Sequence, residues 1–228
     1  MVLVLAIGDF HIPHRAAQLP AAFLSLLQPG KIHTVLCTGN LTLPDTADWL
    51  RTLAPHVHLV AGEYDLPAWP SLEPTPTSGA SSTSTSRAAP TARVVAIGPL
   101  RIGLMHGHAL VPADDADALA AAARLLDVDV VVAGPGYAGV DCYEYEGRFF
   151  VNPGSATGVS RAGTASFVLL DVVDTNVTAY VYQADPAASD TPAKIVKVEY
   201  AKAVPVPSPS SDVNHPAVEV APQEQSAQ

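Results

Sequence analysis

Met1-Val2-Leu3-Val4-Leu5-Ala6-Ile7-Gly8-Asp9-Phe10-His11 is the stretch whose reading decides the fold. Seven aliphatic residues in a row, ended at once by Gly8, suit a strand buried on both faces, as in a parallel sheet. Asp9 and His11 then fall at the strand's carboxyl end, where open α/β sheets place their sites. Residues two apart in an extended segment point to the same side. Asp9 and His11 therefore present a carboxylate and an imidazole to one metal ion, or stand as two polar loop residues; the pair alone does not choose.

Outward from this stretch, the pattern repeats. Pro20 sits at the first turn of a helix through Leu27, with Phe23, Leu24, Leu26 and Leu27 at near-helical spacing, and Pro29-Gly30 ends it. Thr34–Cys37 is a second strand and runs into Gly39-Asn40. Asp45 is placed as the N-cap of a helix through Leu53, and Pro55 stops it. His56–Val60 is a third strand and ends in Gly62-Glu63-Tyr64-Asp65. The order β-α-β-α-β predicts parallel strands with crossover helices.

Residues 73–91 are almost entirely Pro, Ser, Thr and Ala, which predicts a disordered insertion. Beyond it, Arg93–Ile97 and Arg101–Met105 read as a hairpin ending in His106-Gly107-His108, and Asp114 as the cap of a helix through Leu126. Val128–Ala133 is an apolar strand before Gly134-Pro135-Gly136-Tyr137. Five further strands follow: Val140–Glu146, Arg148–Val151, Ser166–Val173, Asn176–Gln183 and Lys194–Tyr200, so the second half reads as mostly antiparallel. Residues 203–228 have the composition of a disordered Pro/Ser-rich tail after one domain spanning 1–202.

Composition excludes several classes. A net charge of −10 makes nucleic acid an unsuitable partner. No apolar run is long enough for a transmembrane helix, and the first seven residues are too short for a signal peptide. Two distant cysteines, Cys37 and Cys142, fit neither a zinc ribbon nor a disulfide scaffold and suit a reducing cytosol.

Polar punctuation thus recurs at the strand ends: Asp9/His11, Asn40, Glu63/Asp65 and His106/His108, followed by the glycine turn after Ala133. Oxygen and imidazole groups from several loops are what a binuclear metal hydrolase requires. With the blocks at 2–15, 27–41, 102–108, 152–158 (Asn-Pro-Gly-Ser-Ala-Thr-Gly), 166–171 and 180–183, the chain resembles the calcineurin-like metallophosphoesterase superfamily. More narrowly, it resembles the family of the small phosphoesterase-fold subunit of retromer, the endosomal sorting complex.

The resemblance implies a four-layer α/β/β/α sandwich. It also implies a metal set at Asp9, His11, Asn40, Glu63 and His106, but with the ligands of active members eroded. Asn40 is an amide where those members bridge two ions with a carboxylate. Pro135 and Tyr137 replace the two histidines of the Gly-His-x-His motif, and Tyr64 replaces the catalytic histidine. The expectation is a non-catalytic scaffold that requires no cofactor and holds a divalent ion (manganese, zinc or magnesium) weakly; the alternative is an active phosphoesterase with a divergent ligand set. His106 and His108 read equally well as structural histidines lining a pocket.

The family also implies a large α-solenoid partner meeting Leu110, Val111 and Pro112. Regulatory proteins are expected at a second patch of Val2, Leu26, Leu169, Tyr180 and Tyr182. Location in the cytoplasm, on endosome membranes only through the complex, completes the expectation.

Overall fold

The computed structural model describes residues 1–65, 89–113, 115–134, 139–159, 163–187 and 192–202. Strands β1 (Val2–Ile7), β2 (Thr34–Cys37) and β3 (His56–Leu59) alternate with helices α1 (Ala21–Leu26) and α2 (Pro44–Leu53). Next come β4 (Ala92–Ile97), β5 (Leu100–His106), α3 (Ala116–Leu126) and β6 (Val130–Gly134). Then follow β7 (Asp141–Tyr145), β8 (Arg148–Asn152), β9 (Ala165–Val173), β10 (Asn176–Ala184) and β11 (Lys194–Ala201). They form a six-stranded sheet in the order β11-β10-β9-β1-β2-β3 and a five-stranded sheet in the order β4-β5-β6-β8-β7.

Three apolar layers hold this together. Between the sheets, Val4, Ala6, Leu36, Val168, Leu170 and Val177 meet Ile102, Leu104, Val130, Val132, Phe149 and Val151. Phe149 and Tyr200 stack across this gap, ring centroids 5.1 Å apart, and the Tyr200 hydroxyl donates to the Gly147 carbonyl. On the far side of the larger sheet, Leu5, Ile7, Val35 and Cys37 pack under Phe23 of α1 and Ala47, Leu50 and Leu53 of α2. On the far side of the smaller sheet, Met105, Val131 and Phe150 pack under Ala120 and Ala123 of α3. The layers are therefore α/β/β/α, as expected from the sequence.

β1 is buried on both faces because Leu5 and Ile7 turn to the helices while Val4 and Ala6 turn to the other sheet; this is what its unbroken aliphatic run encodes. β1-β2-β3 are parallel, as expected. In the second half the hairpins β4-β5, β7-β8, β9-β10 and β10-β11 are antiparallel, but β5-β6-β8 is a parallel run, with α3 as the β5–β6 crossover.

Three local readings need correction. α2 begins one residue before Asp45: Pro44, with its preset φ, takes the first helical position and leaves Leu43 as the N-cap, so Asp45 sits in the first turn. The cap of α3 is Asp115, whose carboxylate accepts from the Ala118 N–H; Asp114 lies outside the described residues. In α1 only Phe23 is buried, while Leu24 and Leu26 are 42% and 43% exposed. A helix of six residues buries one stripe, and these two lie off it. The insertion at 73–91, apart from residues 89–91, and the tail 203–228 lie outside the described residues, as do Pro135 and Tyr137.

Candidate docking pocket at the carboxyl edge

β1, β2 and β5 all deliver polar residues to the same edge. The backbone turns sharply there: Asp9, His11, Asn40 and Thr42 have φ of 50°, 47°, 55° and 64°. Non-glycine residues rarely occupy this region, and such clustering is held only by surrounding contacts. Here those contacts are hydrogen bonds between loops. Asp9 N–H donates to the Gly39 carbonyl, and Phe10 and His11 N–H both donate to the Asn40 carbonyl. From below, the Ser155 and Thr157 hydroxyls donate to the Asp9 carbonyl at 3.0 and 3.3 Å, and Thr157 also reaches the Phe10 carbonyl. Ser155 is thus a backbone support beneath the pocket.

A carboxylate that sequence reading had only as loop punctuation organises the rest. Asp65 accepts the N–H groups of Asn40 at 2.7 Å, Gly62 at 2.8 Å and Thr42 at 3.1 Å. It clamps the β2–α2 loop to the loop after β3. Gly62 is needed because a Cβ there would collide with Asn40 Oδ1.

The side chains of Asp9, His11, Asn40 and His106 are gathered and buried, each residue at most 5% exposed as a whole. Tyr64 N–H donates to Asn40 Oδ1 (3.0 Å), which turns the amide NH2 toward Asp9 Oδ1 (2.7 Å) and His106 Nε2 (2.9 Å). His11 Nε2 lies 3.2 Å from Asp9 Oδ2, and His106 Nε2 lies 3.3 Å from Asp9 Oδ1. Burial pushes the Asp9 carboxyl up. The hydrogen bonds from His106 and His11 and the charge on those rings outweigh this and leave it below its ordinary range.

This donor set does not fit two bridged ions. With the His106 proton on Nδ1, the Asn40 NH2 spends one hydrogen on Asp9 and one on bare Nε2. With the proton on Nε2, that hydrogen faces Asp9 and Nδ1 accepts from the His108 N–H at 3.2 Å. Either tautomer puts hydrogen atoms where a bridging carboxylate would offer lone pairs. Among the described residues no three His, Cys, Asp or Glu side chains converge to hold a metal ion.

Glu63, expected in the ligand set, is exposed on the rim; the carboxylate turned toward Asn40 is Asp65 instead. The Glu63 charge acts on His108, whose own acidity is dominated by burial and by the His106 ring, which together lower its pKa. His108 Nδ1 lies 2.8 Å from His106 Nδ1. Tyr64 is half exposed, its ring edge-on to His11 at 5.2 Å, its hydroxyl accepting from Arg15 Nη2 at 3.1 Å. It covers His11 where active relatives are expected to place a proton donor.

Beyond His106 the chain makes a 3-10 turn, Gly107–Ala109, and rises to Leu110, Val111 and Pro112. These three differ. Leu110 packs against the α3 layer and anchors the turn. Val111 is 89% exposed and Pro112 is exposed, so the apolar tip is these two residues.

The second expected patch is brought together in part. Leu169, Tyr180 and Tyr182 share the outer face of β9–β10, since Tyr180 pairs directly with Leu169. Tyr182 stacks on Phe167 at 4.7 Å, which meets Phe23 of α1 edge-on. Leu26 is exposed on that helix. Val2 does not join them: it pairs with Val172 and packs into the inter-sheet core on the opposite face. Ile195, 54% exposed and paired with Tyr182, stands in that face and was missed. Its signal was the period-two alternation of β11.

Comparison with known proteins agrees with this geometry. Residues 2–175 match the model of the calcineurin-like phosphoesterase superfamily domain. Vacuolar protein sorting-associated protein 29 of Schizosaccharomyces pombe is 36% identical over 209 residues, covering 88% of this chain and 99% of the relative. The crystal structure of Chaetomium thermophilum Vps29 superposes with a TM-score of 0.75 at 40% identity, over 89% of this chain and 100% of that one. That protein has also been solved with a cyclic peptide, RT-D3. Vps29 of Entamoeba histolytica, solved in complex with zinc, is 40% identical with a TM-score of 0.70, over 87% of this chain and 99% of that one.

Proposed function

This chain belongs to the calcineurin-like phosphoesterase superfamily and, within it, to the Vps29 family, and on that premise we propose that it is a non-catalytic scaffold subunit of retromer. One observation carries the reading: the Asn40 amide, oriented by Tyr64, fills with hydrogen the place between Asp9 and His106. A pocket so closed supports a structural role for its polar groups. They fix a strained edge and hold the turn that lifts Val111 and Pro112 into solvent.

An exposed apolar tip on a buried, hydrogen-bonded base suits an interface anchor. Its partner in this reading is the large α-solenoid subunit of the complex. Regulatory proteins dock at the Leu169/Tyr180/Tyr182 face; the cyclic peptide bound by the Chaetomium relative supports a peptide-binding capacity without locating it. Association with endosome membranes in protein transport is indirect, through the complex. Among the described residues no helix is long and apolar enough to cross a membrane.

A divalent ion is not required. The zinc complex of the Entamoeba relative supports a capacity to bind a divalent ion without locating it; at the edge here such binding is weak, because the Asn40 amide must first yield.

The test is association of this chain with the purified α-solenoid subunit by size exclusion. Wild type co-elutes and Val111→Asp does not. Hydrolysis of a chromogenic phosphodiester with excess manganese, abolished by Asp9→Ala and by His106→Ala, would instead establish the phosphoesterase reading.

A further inference from the structure

The two faces of the larger sheet are covered unequally. Its inner face packs on the smaller sheet along its whole width, β10 and β11 included, through Val177, Ala179, Val181 and Tyr200. Its outer face is covered by α1 and α2 over β1, β2 and β3. Over β10 and β11, no helix among the described residues lies on this face. It presents Leu169, Tyr180 and Tyr182, half-buried, beside exposed Ile195.

The chain that leaves β11 is suited to cover it. Ala201 pairs with Asn176 at one end of β10, and the Lys202 N–H donates to the Thr175 carbonyl. Tyr180 and Tyr182 lie four and six residues along β10 from that point, about 13 and 20 Å at about 3.3 Å per residue. The next segment, Val204-Pro205-Val206-Pro207-Ser208-Pro209, spans about 19 Å at about 3.1 Å per residue in the polyproline II conformation that alternate prolines favour. Polyproline segments dock on grooves walled by aromatic rings. The contact is apolar rather than ionic: Lys197, beside Tyr180, is already paired with Glu199 of the same strand, and Val204–Pro209 carries no charge. The Tyr182 ring is backed by Phe167, so the surface offered is rigid.

We propose that Val204–Pro209 folds back on the Leu169/Tyr180/Tyr182/Ile195 face and occupies it in cis, so that an external protein must displace it. This rests on reading that face as a docking surface. The segment acts as a built-in competitor, present at high effective concentration because it is tethered at Lys202.

The experiment uses the full chain with a nitroxide on Ser210→Cys in a Cys142→Ser background, because Cys142 is only partly buried whereas Cys37 is buried. Paramagnetic broadening should erase the amide signals of Leu169, Tyr180, Tyr182 and Ile195 and spare those of β3 and α2. Val204→Asp/Val206→Asp, which alters no residue of the folded layers, should restore them. No broadening at that face, or broadening spread evenly over the molecule, overturns the proposal.

A synthetic peptide of residues 203–211 added in trans should bind the Val204→Asp/Val206→Asp chain more tightly than the wild type. Equal binding to both would leave the docking surface standing and remove its occupation in cis. Binding to neither contradicts both.

Discussion

At the carboxyl edge, the fold gathers buried polar groups and closes them on one another: Asp9, His11, Asn40 and His106 use their hydrogen-bonding capacity within the cluster, and Asp65 ties the loops that carry them. On the outer face of β9–β11, apolar rings lie over a complete backbone ladder; α1 reaches it only at Phe167, and among the described residues no helix covers Tyr180 or Ile195. The first region is polar, enclosed and strained; the second is aromatic, open and regular. Residues kept for chemistry would leave lone pairs or protons free at the edge, whereas here the free surface is apolar in both regions, at Val111–Pro112 and at Tyr180–Tyr182. The difference teaches that the polar groups of the edge are spent on holding its loops, while the surfaces left open at Val111–Pro112 and Tyr180–Tyr182 are apolar, which is what the proposed scaffold role uses.

Substitutions separate the two regions. The largest expected effect is at Val111→Asp. A charge at this 89% exposed tip, the proposed interface anchor, should cost about 2 kcal/mol or more of binding to the α-solenoid subunit, about thirtyfold in affinity, with no change in thermal midpoint. Isothermal titration calorimetry and a melting curve read both quantities.

Next is Asn40→Asp. It sets a carboxylate against Asp9, where the amide now donates at 2.7 Å, and should lower stability by about 1–3 kcal/mol in chelator. Manganese should recover that loss in the variant far more than it stabilises the wild type, as measured by midpoint against metal concentration. Equal metal response in both proteins would mean that the amide does not guard the site.

Tyr182→Ala tests the other region. Its stack on Phe167 is half-exposed, so the loss should be about 1 kcal/mol of stability, with binding to the α-solenoid subunit unaltered. If this variant weakens that association, the two regions are one interface.

The smallest effect concerns pH. Burial and the neighbouring His106 hold His108 neutral below the ordinary histidine range. Its contribution to stability is fully present above the unfolded pKa and is lost as pH falls through the depressed folded value. His108→Gln should therefore flatten the decline of the denaturant midpoint below pH 6.5, at the polar edge only.

Much of this was legible in the sequence, for reasons that differ by region. β1 and β6 announce themselves because strands buried on both faces read as unbroken aliphatic runs. Asp9, Asn40 and His106 were legible because each stands at or just past the carboxyl end of a strand. Asp65 was not, because its role depends on three backbone N–H groups, two of them more than twenty residues away, and no local pattern encodes that. Glu63 and Asp65 differ by two positions in one loop, and only the turn at Gly62 decides which carboxylate faces inward. Val2 was grouped with the tyrosines although strand alternation puts it on the other face: Val2 pairs with inward-facing Val172, and Leu3 with Asp171.

The most direct measurement is calorimetric titration of the full chain into the α-solenoid subunit, with and without EDTA, for wild type, Asp9→Asn and Val111→Asp. A docking edge predicts the same affinity in both buffers, retention of binding by Asp9→Asn and its loss in Val111→Asp. Binding that needs the metal and the Asp9 carboxylate but tolerates Val111→Asp would contradict it.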